Sequence, residues 1–207
     1  MGRIVGIDLG TTNSVLAVLE GGRPVVVANA EGLRTTPSVV GFSREKELLV
    51  GQAARRQLVL NPRDSFSNLK RLIGRQWQEL DEASQAVAYT IRSNDLGQVR
   101  VVCPATEREY APEELVACLL RKLVDDAATY LGEEVEAAVV TVPAYFDDSQ
   151  RHPPTCAGGK PPIPQGRIRA RWPGTPPAPD QDRWPGWCRP LPGRPHRALA
   201  TAAQSGA

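Results

Sequence analysis

A chain of 207 residues, 41% hydrophobic and 23% charged, can bury a substantial core and has the balance of an ordinary globular protein. Its net charge of +2 names no particular partner, and it averages two unlike parts. Residues 1–151 carry 17 Lys/Arg against 21 Asp/Glu, whereas residues 152–207 carry 8 against 2. No apolar run reaches the roughly 18 residues that span a bilayer. The start Met1–Asp8 has no apolar leader, and Gly6 breaks the N-myristoylation pattern. Cys103, Cys118, Cys156 and Cys188 show no C-x-x-C spacing and no disulfide density, so the expected location is cytoplasmic and reducing, with no membrane partner.

In chain order, Arg3–Asp8 reads as a short apolar strand, Ser14–Glu20 as a second and Pro24–Ala28 as a third, with Gly21-Gly22 turning between the last two. Ser38–Phe42 is a further candidate strand after the breaker Pro37. Gln52–Leu60 is compatible with a helix and stops before Asn61-Pro62, since the residue ahead of a proline is pushed out of helical geometry. Pro112–Leu131 is the clearest helix. Pro112 suits the first helical position, and Glu113 and Glu114 complement the dipole there. Leu115, Leu119, Leu123, Ala127 and Leu131 recur every four residues before the stop at Gly132. Ala111, without a side-chain acceptor, forgoes an N-cap of about 1 kcal/mol. Glu136–Val142 then reads as a buried strand ending at Pro143, and the order of elements predicts an α/β fold.

The junction of the first two strands carries chemistry. Gly6-Ile7-Asp8-Leu9-Gly10-Thr11-Thr12-Asn13-Ser14 brings a carboxylate to a strand end and then turns on a glycine. Without a Cβ at Gly10, backbone N–H groups and the hydroxyls of Thr11 and Thr12 can close on phosphate oxygens. Asp8 suits a hydrated Mg²⁺, which favours carboxylate, water and phosphate oxygens together. An ordinary hairpin turn rich in Gly and Thr is the plain alternative. No G-x-x-x-x-G-K-[ST] motif occurs, so phosphate chemistry here is not that of a P-loop.

Ile4–Ser14 resembles the first phosphate motif of the actin-like ATPases, and in particular that of the seventy-kilodalton heat-shock chaperones of the DnaK type. Three further stretches resemble the same family in the same order. These are Arg34-Thr35-Thr36-Pro37-Ser38, Asn68-Leu69-Lys70-Arg71-Leu72-Ile73-Gly74-Arg75, and Val140-Thr141-Val142-Pro143-Ala144-Tyr145-Phe146-Asp147-Asp148-Ser149-Gln150-Arg151. A sugar kinase of the superfamily, the less favoured alternative function, would share the first motif but not the Lys70 and Pro143 stretches.

The resemblance implies a partial actin-like (ribonuclease H-like) ATPase domain over 1–151. In it, 1–36 and 112–151 form the first large subdomain and 37–111 a small inserted one. It implies ATP and Mg²⁺ as cofactors. Gly10, Thr11, Thr12 and Asn13 would contact the β- and γ-phosphates, Asp8 would hold the metal through water, and Lys70 would be the catalytic lysine at the γ-phosphate and attacking water. Pro143 and Arg151 would relay nucleotide state between domains, against the plainer reading of a strand-ending proline and a surface arginine. By family the partners are unfolded client proteins, a J-domain co-chaperone and a nucleotide-exchange factor. The activity is ATP-dependent protein folding in the stress response.

The resemblance stops at Arg151. The family's catalytic glutamate, second phosphate loop and adenosine-binding loop find no counterpart in 152–207, so negligible hydrolysis is expected of this chain. That tail holds 13 of the 19 prolines and three of the four tryptophans, with only Ile163, Ile168, Leu191 and Leu199 as aliphatics larger than alanine. Such a composition predicts disorder. It is also what G+C-rich DNA gives when translated out of frame, so a frameshift or rearrangement near codon 151 is the expectation. The tail could instead bind zinc through His152, Cys156, Cys188 and His196, although their spacing is wrong for a structural site. Its basic, Trp-containing stretch or its PxxP at Pro161–Pro164 could bind RNA or a proline-reading domain. A non-enzymatic fragment that binds a partner is therefore the rival to a chaperone ATPase, with nucleic acid the less favoured partner.

Overall fold

A computed structural model describes residues 3–142, 146 and 168–171. Its principal sheet runs in the order β12 (Ile168–Arg171), β11 (Val135–Thr141), β1 (Arg3–Asp8), β2 (Asn13–Glu20), β3 (Arg23–Val26), with β4 (Thr36–Pro37) paired to β2 off that path. Strand β1 (Arg3–Asp8) buries Val5 and Ile7 and exposes their neighbours, the period of two expected for a strand facing a core on one side. Strand β2 (Asn13–Glu20) returns antiparallel from the turn, and Ser14, Leu16 and Val18 point inward. Glycines 21 and 22, both at positive φ, swing the chain into β3 (Arg23–Val26). The short β4 (Thr36–Pro37) lies against the start of β2.

Two smaller sheets lie between residues 40 and 110. One combines β5 (Val40–Phe42), β6 (Leu48–Val50) and β7 (Ser65–Phe66), followed in space by α1 (Gln52–Gln57). The other is β8 (Ile91–Ser93), β9 (Val99–Cys103) and β10 (Arg108–Tyr110), preceded in the chain by the single-turn α2 (Glu82–Gln85). Their aromatic residues meet: the Phe42 and Tyr110 rings stack at 5.3 Å, and Phe66 meets Tyr89 edge-on at 5.2 Å. The carboxylate of buried Asp64, just before β7, accepts from the Ala105 N–H in the turn between β9 and β10 at 2.8 Å.

The long helix α3 (Pro112–Leu131) has the bounds its sequence predicts. Leu115, Leu119, Leu123 and Ala127 are all buried, and Gly132 closes the helix in the left-handed conformation at φ 68°. At the other end, the Glu114 carboxylate accepts from the Ala111 N–H at 2.9 Å, which gives one half of a capping box where the alanine can supply nothing. Strand β11 (Val135–Thr141) follows and runs parallel to β1, with Val5 opposite Ala138 and Asp8 opposite Thr141. A parallel neighbour needs such a crossover, and α3 is part of it.

The described residues of the tail do not show the expected disorder. Ile168–Arg171 forms β12, antiparallel to β11, with Ala138 opposite Ala170. Strand pairing satisfies backbone groups whatever the side chains are, so a segment poor in apolar residues can still cap the free edge of β11. The other tail positions, including the histidines and cysteines weighed as zinc ligands, lie outside the described residues.

Sequence periodicity overextends some elements and misses others. The helix expected over Gln52–Leu60 ends at Gln57, leaving Val59 and Leu60 more than 80% exposed. Strands β6 to β10 are two to five residues long, too short for a period to declare itself.

Candidate functional site

The site is built where β1 ends. Strand β1 ends at the exposed Asp8, and Leu9 is buried just beyond it, so the chain is anchored as it leaves the strand. Gly10 then turns so tightly that a Cβ on it would stand 2.0 Å from the Asn13 carbonyl oxygen. Only glycine fits there. Thr11 is half-buried, and Thr12 and Asn13 are exposed at the mouth of the turn. Among the described residues, the Thr11 and Thr12 N–H groups find no acceptor. A concave turn presenting free donors is the arrangement that binds anions.

Lys70 reaches this turn from a different part of the chain. It lies on a single 3₁₀ turn, Leu69–Arg71, entered through Asn68 in the left-handed conformation at φ 58°. That turn is fixed from three directions. Leu69 and Leu72 are buried in the core, the Gly74 N–H donates to the Glu113 carboxylate on α3 at 2.7 Å, and the Tyr89 hydroxyl donates to the Ser67 carbonyl at 2.6 Å. The Lys70 ammonium donates to the carbonyl of Leu9 and stands 5.9 Å from the centre of the Phe146 ring. Partial burial pulls its pKa below the ordinary lysine value, while the Asp8 charge opposes that pull.

Asp8 is held in turn. The Thr141 hydroxyl donates to its Oδ1 at 2.6 Å, as their opposed places on β1 and β11 allow. Among the described residues no three His, Cys, Asp or Glu side chains converge to hold a metal directly. A magnesium ion at Asp8 would therefore depend on water and on phosphate oxygens, which is its usual preference.

The structure thus brings Asp8, Gly10, Thr11, Thr12, Asn13 and Lys70 to one place, while Pro143 and Arg151 lie outside the described residues. Thr141, Ser14 and Ser38 lie within the family-like stretches, which give them no role of their own. Ser14 and Ser38 share a buried hydrogen bond at 2.9 Å behind the turn. Of the three, Ser14 alone stands out, as a polar residue at an inward-facing strand position.

Fold and site together define a mixed α/β protein whose polar cluster sits on the turn between its first two strands. Residues 4–160 match the family described as Hsp70 protein, and the chain belongs to that family. The match runs past Arg151. Among individual relatives, the chain is 75% identical over 158 residues to "Chaperone protein dnaK1" of Parasynechococcus marenigrum (strain WH8102), covering 76% of this chain and 24% of that protein. It is 74% identical over 158 residues to "Chaperone protein dnaK1" of Prochlorococcus marinus (strain MIT 9313), with the same coverage of each. It is 63% identical over 158 residues to "Chaperone protein dnaK3" of Synechococcus elongatus (strain ATCC 33912 / PCC 7942 / FACHB-805), covering 76% of this chain and 21% of that one. The chain spans about a quarter of the length of the curated relatives it matches. No helix among the described residues is long and apolar enough to cross a membrane.

Proposed function

We propose that this chain carries the phosphate-facing side of the ATP site of a DnaK-type chaperone. The observation that carries the reading is the meeting of Lys70 with the turn 61 residues before it, where its ammonium caps the Leu9 carbonyl beside Asp8. A cation, a carboxylate and free backbone donors around one glycine turn suit a triphosphate with its magnesium ion.

In this reading Gly10, Thr11, Thr12 and Asn13 hold the β- and γ-phosphates, and Asp8 holds hydrated Mg²⁺. The metal supplies neutralisation of the phosphate charge. Lys70 adds a second positive charge near the γ-phosphate and orients the attacking water, and Thr141 keeps the Asp8 carboxylate turned toward its task. The partial desolvation of Lys70 raises the strength of its attraction for an anion. The domain division at 1–36, 37–111 and 112–151 belongs to the same proposal. It is supported by the placement of the two smaller sheets between residues 40 and 110. Client proteins, a J-domain partner, an exchange factor, a stress role and a cytoplasmic setting come with the family and are proposals of the same kind.

The test is calorimetry of Mg·ATP against the 207-residue chain. Binding weaker than micromolar is expected, carried by the phosphates, with negligible turnover, because the groups that meet at this turn would hold phosphates and metal but no part of the nucleoside. Asp8→Ala and Lys70→Ala should each abolish it. Binding that survives both substitutions would place the nucleotide elsewhere and sink the proposal.

A further inference from the structure

We propose that Ser38 is a positioning residue for the phosphate-facing turn, acting through its grip on two peptide groups; this rests on the reading of that turn given above. Strand β4 lies against the start of β2, with Pro37 opposite Asn13 and Thr36 opposite Ser14, and brings Ser38 directly behind the turn. Ser38 holds it at two points. Its hydroxyl donates to the Gly10 carbonyl at 2.8 Å, and its N–H donates to the Thr12 carbonyl at 2.9 Å.

A hydroxyl has one proton. If Ser38 gives its proton to Gly10, its contact with Ser14 at 2.9 Å must run the other way, with Ser14 as donor. The chain of hydrogen bonds is therefore Ser14 to Ser38 to Gly10. Ser14 and Ser38 are 0% and 6% exposed, so water competes poorly for these groups.

The consequence lies in the planarity of the peptide bond. In a trans peptide the C=O and the following N–H point in opposite directions. The structure contains no cis peptides among the described residues. Drawing the Gly10 carbonyl inward thus turns the Thr11 N–H outward, and drawing the Thr12 carbonyl inward does the same for the Asn13 N–H. Ser38 aims two donors at the space a phosphate would take without touching the phosphate. Because Ser38 leads directly into β5, the grip also couples the turn to the smaller sheet that follows.

The experiment uses the full chain with Ser38→Ala, Ser38→Thr and Ser14→Ala. Three quantities are read: the backbone order parameter of Thr11 and Asn13 by ¹⁵N relaxation without ligand, the affinity for inorganic tripolyphosphate, and the melting temperature. In Ser38→Ala the Thr11 amide should fall from the rigid range near about 0.85 to below about 0.6, and the tripolyphosphate Kd should rise about fivefold or more. Ser38→Thr, which keeps the hydroxyl, should restore both. A folded Ser38→Ala chain whose Thr11 amide stays rigid, whatever its melting temperature, overturns the proposal. Should Ser38→Ala not fold, Ser38→Cys takes its place, since a thiol is a weak donor to the Gly10 carbonyl, and an unmoved Thr11 amide there is equally fatal; Ser14→Ala, which keeps the Ser38 donor, should leave Thr11 rigid. If the parent chain binds no tripolyphosphate, the functional reading fails, and the ligand-free amide measurement still judges the role of Ser38.

Discussion

The Thr141 hydroxyl donates to Asp8 Oδ1 across 2.6 Å, joining residues 133 positions apart through the register of two parallel strands. It leaves one oxygen of the carboxylate committed and the other available, which suits a group meant to face a hydrated ion. Thr141→Val removes the donor while keeping the shape. We expect Mg²⁺-dependent ATP binding to weaken while the melting temperature moves little, since Asp8 and Thr141 are both exposed and a hydrogen bond there contributes at most about 1 kcal/mol. Calorimetry at several magnesium concentrations checks this; equal binding at all of them would separate Thr141 from the metal.

Gly10→Ala should be far more damaging than its single methyl suggests. The new Cβ would stand 2.0 Å from the Asn13 carbonyl oxygen, a backbone atom that cannot step aside without opening β1 from β2. A loss of roughly 1–3 kcal/mol is expected, the usual cost of forcing a methyl into occupied space. Urea unfolding measures it, and an unchanged midpoint would show that the turn relaxes freely.

Tyr89 makes a prediction about alkaline pH. Its hydroxyl is buried and donates to the Ser67 carbonyl at 2.6 Å, and burial pushes its pKa well above the ordinary tyrosine value of 10.0. The folded state therefore keeps a proton that the unfolded chain releases above pH 10. Stability should be unaffected by this group below pH 10 and should fall as pH rises past it. Tyr89→Phe should flatten that fall while costing about 1 kcal/mol at neutral pH, from the lost partner of the Ser67 carbonyl. Urea midpoints at pH 8 and pH 10.5 for both proteins check the sign.

Lys122 joins helix α3 to the loop before β4. Its ammonium lies 2.8 Å from Asp126, four residues along the helix, and 3.2 Å from Glu31. The Asp126 side chain is only 8% exposed, so Lys122→Met would leave a nearly buried carboxylate without its cation. A loss of roughly 1–3 kcal/mol is expected. Asp126→Asn added to Lys122→Met should recover part of it, because the orphaned charge is then gone. A double variant less stable than the single would show that the charge was not the problem.

The strongest periodicities reached the structure almost unaltered. Leu115, Leu119, Leu123 and Ala127 announced the buried face of α3, because the pattern is local and repeats often enough to be seen, and the short apolar run Arg3–Asp8 announced β1. The glycine turn was equally legible, since a Gly after a strand-end carboxylate has few other uses. Strands β7 and β10 have no such repetition. They exist because Phe66 and Tyr110 find aromatic partners from other segments. The tail composition argued for disorder, yet Ile168–Arg171 pairs with β11, since an open strand edge selects on backbone and not on side-chain character.

The sequence by itself determined the turn: Asp8, Gly10, Thr11 and Thr12 are neighbours in the chain, so their meeting needs no folding argument. It also determined the family to which they belong, through motifs that keep their order. The tertiary structure alone decided what surrounds them. Lys70 comes 61 residues along the chain from the Leu9 carbonyl it caps, Thr141 faces Asp8 across 133, and Ser38 grips Gly10 across 28. A serine, a threonine or a lysine alone carries no sign of its partner. Only strand register and the packing of Leu69 and Leu72 in the core fix which carbonyl or carboxylate it meets, and those are properties of the whole fold.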